Sequence, residues 1–289
     1  MKVSDILRED KVTISCEIFP PKKGTQLENY KSIVAKMAEL KPAYISCTYG
    51  ATGGTSEYTV EIADTINKCN VPAIAHLTCV SSSKEKVFSV LDELKDRKIE
   101  NILALRGDIP EDSDFPLPNH YSHAIELIRE VKEMGYFCIG GACYPEGHPE
   151  AKNMDEDLSY LKEKVEAGCE YLTTQLFYDN NIYYSFMHKA LKKGINVPVV
   201  PGIMPVTSAA QIKRSMALTG NLVPRELLML VDRFGESPEA MTQAGIAYAT
   251  EQIMDLIANG VNHIHIYSMN KPAVAAKIFD NLSSIYIPD

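Results

Sequence analysis

The sequence predicts a single α/β domain over residues 1–289, a (β/α)8 TIM barrel with an extended last crossover. Three observations lead there. Eight short apolar runs recur along the chain, segments of helical period alternate with them, and no Gly-rich dinucleotide fingerprint follows the first run, where FPPKKG stands instead. Alternation implies parallel strands joined by right-handed crossovers, and eight such units in 289 residues is the count that closes a barrel. A doubly wound open sheet is the competing arrangement.

The strand candidates are residues 12–19, 43–49, 72–79, 100–107, 137–144, 170–178, 197–204 and 262–269, each rich in apolar or β-branched side chains. Helical patterns stand between them, among them QLENYKSIVAKMAEL, SSKEKVFSVLDELKDR, YSHAIELIREVKEMG and MDEDLSYLKEKVEAG, the last two closed by the glycine that ends helices. Residues 205–260 exceed one helix and are read as two or three, which extends the last crossover.

A hydrophobic fraction of 45 % and a charged fraction of 23 % are those of an ordinary soluble chain with a large core. Against 29 Lys and Arg stand 38 Asp and Glu, a net charge of −9 that opposes nucleic acid and anionic membranes as partners. MKVSDILREDK lacks the pattern of a signal peptide, and the apolar stretch VPVVPGIMPV is broken by three prolines, so the expected location is cytoplasmic. The seven cysteines include no CxxC pair and read as reduced core thiols; Cys138 and Cys143 alone do not make a metal site. Oligomeric state is left open, a homo-oligomer included.

A barrel places its ligands at the C-terminal ends of its strands. On the first strand Thr13, Ser15 and Glu17 alternate with Val12, Ile14, Cys16 and Ile18, which turns Glu17 inward at that end. An inward carboxyl is either raised in pKa by burial, as a general acid requires, or paired with Arg or Lys. The fourth strand ends in Arg106, Gly107 and Asp108, a second carboxylate at the same mouth or half of a local ion pair with Arg106. Beyond the fifth come Tyr144, Glu146 and His148, and then Asp157, Tyr160 and Lys164 on one face of a helix, each a ligand contact or a solvated side chain. The sixth presents Thr173, Gln175 and Phe177 on one face; Gln175 has the paired donor and acceptor that suit an aminopyrimidine edge, or is satisfied by backbone. The eighth aligns His263, His265 and Tyr267, followed by Asn270 and Lys271; this His-x-His is not read as a metal site. Gly50, Ala51, Thr52, Gly53 and Gly54 form a weak phosphate-cradle signal.

Read together and in order, ISCEIFPPK, ISCTYGATGG, AHLTC, LALRGD, YPEGHPEA, TTQLFYD, PGIMPV and YSMNK resemble the methylenetetrahydrofolate reductase family, from about residue 12 to about 285. The resemblance implies an FAD-containing barrel that reduces 5,10-methylenetetrahydrofolate to 5-methyltetrahydrofolate, with NAD(P)H reducing the flavin in a ping-pong cycle. It implies catalytic roles for Glu17, as the acid that opens the methylene-bridged ring, and for Asp108, beside the flavin and the cationic folate. It places Thr48, His76, Arg106, Gly107, Asp108, Tyr121, Tyr144, His148, Asp157, Tyr160 and Lys164 at or beside the FAD. It places Glu17, Asp108, Gln175, Gln211, Tyr267 and Lys271 at the substrate. Three positions depart from the pattern: Tyr160 and Lys271 stand where some members have Asn and Arg, and Ser215 where better-known bacterial members have a stacking phenylalanine. An alternative within the resemblance is a flavoprotein subunit that takes electrons from a partner protein. Outside it, a pterin-binding barrel without flavin is the competitor.

Overall fold

In the computed structural model the described residues are 1–20, 27–49, 56–80, 82–109 and 117–286. The glycine-rich stretch 50–54 lies outside them. The strands are β1 (Thr13–Ile18), β2 (Ile45–Cys47), β3 (Ala73–Thr78), β4 (Asn101–Leu105), β5 (Cys138–Cys143), β6 (Tyr171–Thr174), β7 (Val199–Val200), β8 (Gly202–Ile203) and β9 (His263–Ile266). Every pairing is parallel, in the order β7-β6-β5-β4-β3-β2-β1-β9-β8.

The nine segments are eight barrel strands. β7 and β8 are halves of the run read at 197–204, parted by Pro201, which has no N–H for a ladder. The first half pairs with β6 and the second with β9, so this broken strand joins the two ends of the sheet into a nearly closed barrel.

The helices are α1 (Val3–Ile6), α2 (Leu27–Ala38), α3 (Ser56–Lys68), α4 (Lys84–Asp96), α5 (Ala124–Met134), α6 (Met154–Ala167), α7 (Asn180–Lys192), α8 (Ala209–Thr219), α9 (Arg225–Phe234), α10 (Pro238–Ala258) and α11 (Pro272–Asn281). Three of them, α8 to α10, fill the extended crossover. Local chemistry sets their ends: Ser83, Asn153, Asp179 and Ser237 cap α4, α6, α7 and α10 with side-chain oxygens, and Gly135 ends α5 in the left-handed conformation. No described helix is long and apolar enough to cross a membrane.

Period-two alternation divides the core into two layers. Outward side chains such as Ile14, Cys16, Ile18, Cys47, Leu77 and Ile102 pack with helix residues including Val34, Val60, Leu91 and Leu127. Inward Tyr44, Ile74, Leu103, Cys138, Tyr171 and Val200 fill the lower barrel, with Val3, Ile6 and Leu7 packed against them. Asn101 secures that plug: its side chain accepts from the Val3 amide at 2.8 Å and donates to the carbonyls of Ala73 and Met1, each at 3.1 Å. The N-terminal end of the barrel is thereby sealed with apolar groups, and the inward polar residues are left to the opposite end. Six of the seven cysteines are buried and all are free thiols.

Candidate active site

Thr13, Ser15 and Glu17 rise along the inner face of β1, as their alternation predicts. Thr13 meets His263 Nδ1 at 2.8 Å and Ser15 meets His265 Nδ1 at 2.8 Å. Ser15 spends its one proton on the Ile264 carbonyl at 3.0 Å, so the ring must donate to it from Nδ1. His265 Nε2 is then the acceptor for Ser46 at 3.2 Å. Burial pushes His265 down to about 3, which keeps it neutral. Both histidines of the His-x-His pair are engaged by hydroxyls, and no metal-holding cluster of three or more His, Cys, Asp or Glu occurs among the described residues.

Above this layer, Glu17 has a side chain only 12 % exposed, and burial pushes its carboxyl up to about 8. Its neighbour is His76 on β3, with Nε2 3.6 Å from Glu17 Oε2, and burial pushes that imidazole down to about 3. At neutral pH the two are a carboxylic acid and a neutral ring, not an ion pair. The separation is too long for a hydrogen bond, so the Glu17 proton is not committed to His76. Among the described residues, no Arg or Lys pairs with Glu17, the alternative that sequence alone left open.

Glu17 is fixed from the β9 side. Ser268 donates to the Glu17 carbonyl at 3.3 Å, and Asn270 accepts from the Phe19 amide at 2.9 Å while donating to the Phe19 carbonyl at 3.0 Å. Tyr267 stands over Gly202, where a Cβ would lie 2.3 Å from the ring, and its hydroxyl donates to the Thr174 carbonyl at 2.6 Å. The absence of a side chain at Gly202 is what admits the tyrosine.

At the end of β4, Gly107 has φ +86°, and a Cβ there would sit 2.9 Å from Thr78 Cβ, so both backbone shape and space demand glycine. Asp108 follows, exposed at the mouth. Arg106 is not its ion-pair partner: the guanidinium grips Glu150 through both terminal nitrogens, Nη2 at 2.6 Å. Tyr144 packs edge-on against His148, with ring centroids 4.7 Å apart. The His148 amide donates to Asp157 at 3.2 Å, and Lys164 donates to the Ala142 carbonyl at 2.9 Å. Burial raises the Asp157 carboxyl and lowers the His148 imidazole. Tyr160, on the same helix, is 55 % exposed.

Across the mouth, Lys271 donates to Thr207 Oγ1 at 2.7 Å, and Gln211 Oε1 accepts from the Thr207 amide at 2.7 Å and from its hydroxyl at 3.0 Å. Lys271 and Gln211 are thus joined through Thr207, a residue that sequence reasoning passed over although TSAAQ carries the serine-to-glutamine spacing of a helix start. Thr48, at the end of β2, accepts through its carbonyl from Thr59 at 3.1 Å.

One expectation needs correction, and one residue lies deeper than the mouth. The face assigned to Thr173, Gln175 and Phe177 does not exist: β6 ends at Thr174, and Phe177 lies in the outer sheet–helix layer. Gln175 turns its side-chain oxygen onto the Leu176 amide at 3.1 Å. Tyr121, expected beside the cofactor, is fully buried in the same outer layer, with its hydroxyl given to Glu130 at 2.6 Å and Lys84 over its ring.

Two clefts open elsewhere on the surface, the second reaching His148. One of about 680 Å³ is at the sealed N-terminal end, lined by Lys41, Asn70 and Lys98 among others. One of about 870 Å³ lies between the segment after β5 and helices α7 and α8. The strand ends, not these hollows, gather the buried titratable groups.

Fold and site define a parallel α/β barrel with a protonated carboxyl and a ring of polar groups at the C-terminal mouth. Comparison then gives the family. The chain belongs to the methylenetetrahydrofolate reductase family, whose model matches residues 2–283. It is 33 % identical over 275 residues to 5,10-methylenetetrahydrofolate reductase of Pectobacterium carotovorum, covering 95 % of this chain and 91 % of that one. The Escherichia coli protein of the same name is 31 % identical over 275 residues, covering 95 % and 92 %. Against methylenetetrahydrofolate reductase (NADH) 1 of Arabidopsis thaliana the identity is 33 % over 298 residues, covering 98 % of this chain and 50 % of that one. The chain therefore spans about half the length of the plant relatives it matches. An uncharacterized Clostridium thermocellum protein, solved with two copies of 5-methyl-5,6,7,8-tetrahydrofolic acid, shares the fold at a TM-score of 0.67 and 17 % identity, covering 99 % of each chain.

Proposed function

We propose that this chain reduces 5,10-methylenetetrahydrofolate to 5-methyltetrahydrofolate, with FAD as resident cofactor and NAD(P)H as the source of electrons. The observation that carries the reading is Glu17, a carboxyl held neutral by burial at the end of β1, with a proton uncommitted to its neighbour. The names of the bacterial and plant relatives and the folate bound by the Clostridium protein support it.

The mouth fits FAD on two observations. His76 Nε2 is buried without a hydrogen-bond partner among the described residues, and so is Thr78 Oγ1, which lies against Gly107. Thr48, His76, Arg106, Gly107, Asp108, Tyr144, His148, Asp157 and Lys164 would hold it, with Lys164, His148 and Arg106 as donors toward its phosphates. When bound, FAD supplies the two-electron hydride chemistry that no side chain can. Glu17 gives its proton to the folate nitrogen that leaves the bridging carbon, and Asp108 offsets the positive charge that ring opening creates. Gln175, Tyr267, Gln211 and Lys271 position the folate, the last two as one unit through Thr207.

A flavoprotein subunit fed by a partner protein is the second reading, and one observation favours it. Ser215 is buried and donates to Asn221 at 2.7 Å, so α8 offers no ring there for nicotinamide stacking. The test is the visible spectrum of purified protein before and after anaerobic NADH or NADPH. Flavin bands that bleach are expected; bands that persist move the electron source to a partner, and a colourless protein removes the flavin.

For Asp108→Asn, flavin content is expected to stay unchanged while folate reduction falls about 10- to 100-fold, the scale of losing one preorganised charge beside a developing cation. Absorbance at the flavin band and steady-state rates check both, and an apoprotein would confine Asp108 to holding the flavin.

A further inference from the structure

The turn after β9 touches both the acid and the residues assigned to the substrate. Met269 and Asn270 have φ +54° and +55°, two successive left-handed residues outside glycine. Such a turn persists only where its surroundings impose it, and Asn is among the residues that tolerate it best. The Asn270 side chain shows what imposes it: Oδ1 accepts from the Phe19 amide at 2.9 Å and Nδ2 donates to the Phe19 carbonyl at 3.0 Å. One amide thus does for the exit of β1 what a further rung of strand pairing would do, after the register of β1 with β9 has ended at Cys16 and Ile266. Ser268 adds a donor to the Glu17 carbonyl at 3.3 Å, and the turn is closed by the Lys271 amide on the Ser268 carbonyl at 3.1 Å.

We infer that Asn270 is the positioning residue that locks the Glu17 carboxyl to the turn carrying Tyr267 and Lys271, so that acid and folate contacts are held as one rigid body. The inference rests on the proposed roles of Glu17, Tyr267 and Lys271. Its physical basis is leverage. Glu17 lies two residues before Phe19, and no other side-chain hydrogen bond is described at the Phe19 backbone; without the amide, the last residues of β1 are held by parallel pairing with β2 and by the single long bond from Ser268 to the Glu17 carbonyl. A looser strand end admits water to the carboxyl and weakens the burial that keeps it protonated.

Among the described residues, the titratable groups within electrostatic reach of Glu17 are His76 from β3, Cys47 from β2 and Tyr267 from β9. Burial holds the first deprotonated and the other two protonated, so all three are neutral near pH 8. The alkaline limb of the folate half-reaction therefore reports Glu17 itself.

The experiment uses Asn270→Gly, which keeps the left-handed backbone without strain and deletes only the amide, with Asn270→Ala as the strained companion and Glu17→Gln as control. Rates of folate reduction and of flavin reduction are measured from pH 6 to 9, together with the thermal midpoint. For Asn270→Gly the expected result is a 10- to 100-fold loss in folate-dependent kcat, an alkaline limb moved to lower pH, and unchanged flavin reduction. Asn270→Ala should add a loss of thermal stability to the same kinetic defect. A limb at the wild-type position with kcat intact, or equal losses in both half-reactions, overturns the inference. If Glu17→Gln itself still reduces folate at the wild-type rate, the acid reading fails and takes this inference with it. If Glu17→Gln is inactive and Asn270→Gly is normal, only the positioning role fails.

Discussion

Replacement of Glu17 by glutamine is expected to abolish folate reduction while raising stability at alkaline pH. Loss of a general acid costs about 10²- to 10⁴-fold in the step it serves. Flavin content and reduction of the flavin by NAD(P)H should persist, because neither requires this proton. Stability follows from the same burial: the folded carboxyl is raised to about 8 from an ordinary 4.5. A raised carboxyl favours the folded state fully below the ordinary value, and that contribution is lost as pH climbs through the folded value. At about 1.4 kcal/mol per pH unit, the loss between the two values is on the order of several kcal/mol. Glutamine has no proton to lose, so thermal midpoints of the two proteins should diverge from about pH 5 to pH 8, with the variant the more stable above. Parallel curves would mean that Glu17 titrates as an exposed carboxyl, and the acid assignment would go with it.

The legible part of this site is the part written in period two. β1 is six residues long, so Thr13, Ser15 and Glu17 could be assigned inward from the alternation of a single strand, and His263 and His265 likewise on β9. The same reasoning failed on β6, only four residues long, because the alternation was carried past its end to Phe177. Pairings between distant loops left no local trace: Arg106 meets Glu150 across 44 positions, and Glu146 accepts from Asn221 Nδ2 at 2.9 Å across 75. The closure of the barrel was legible as a count of strands, but the break at Pro201 that completes it is a matter of which half pairs with which neighbour. Helical period put Asp157 and Lys164 on one face, and Tyr144 and His148 stand beside Asp157; the cofactor they are expected to hold came from resemblance. Resemblance placed Tyr121 beside that cofactor too, and its phenol is spent on Glu130 within the core.

The two inward glycines should separate stability from function. A Cβ at Gly140 would lie 2.3 Å from Tyr171 Cζ, and one at Gly202 would lie 2.3 Å from Tyr267 Cε2. The geometry is the same, but the rings differ in where they can go. Tyr171 is fully buried among Tyr44, Ile74, Leu103 and Cys138 in the sealed lower barrel, so the backbone of β5 must yield instead. Overpacking of this kind costs about 1–3 kcal/mol or more, and at roughly 2–4 °C per kcal/mol Gly140→Ala should melt several degrees early. Shortening the ring in a Gly140→Ala/Tyr171→Leu double variant should recover part of that loss, a coupling that two independent defects would not show. Tyr267 stands only half-buried at the open end and can swing outward, giving up its 2.6 Å bond to the Thr174 carbonyl. Gly202→Ala should therefore cost less stability but raise KM for the folate about tenfold or more, with flavin content unchanged, because a displaced ring spoils the preorganised contact. An unchanged KM in a folded Gly202→Ala protein would remove Tyr267 from the substrate's side of the barrel, while a Gly140→Ala protein as stable as wild type would show that the lower core has room the tyrosine does not fill.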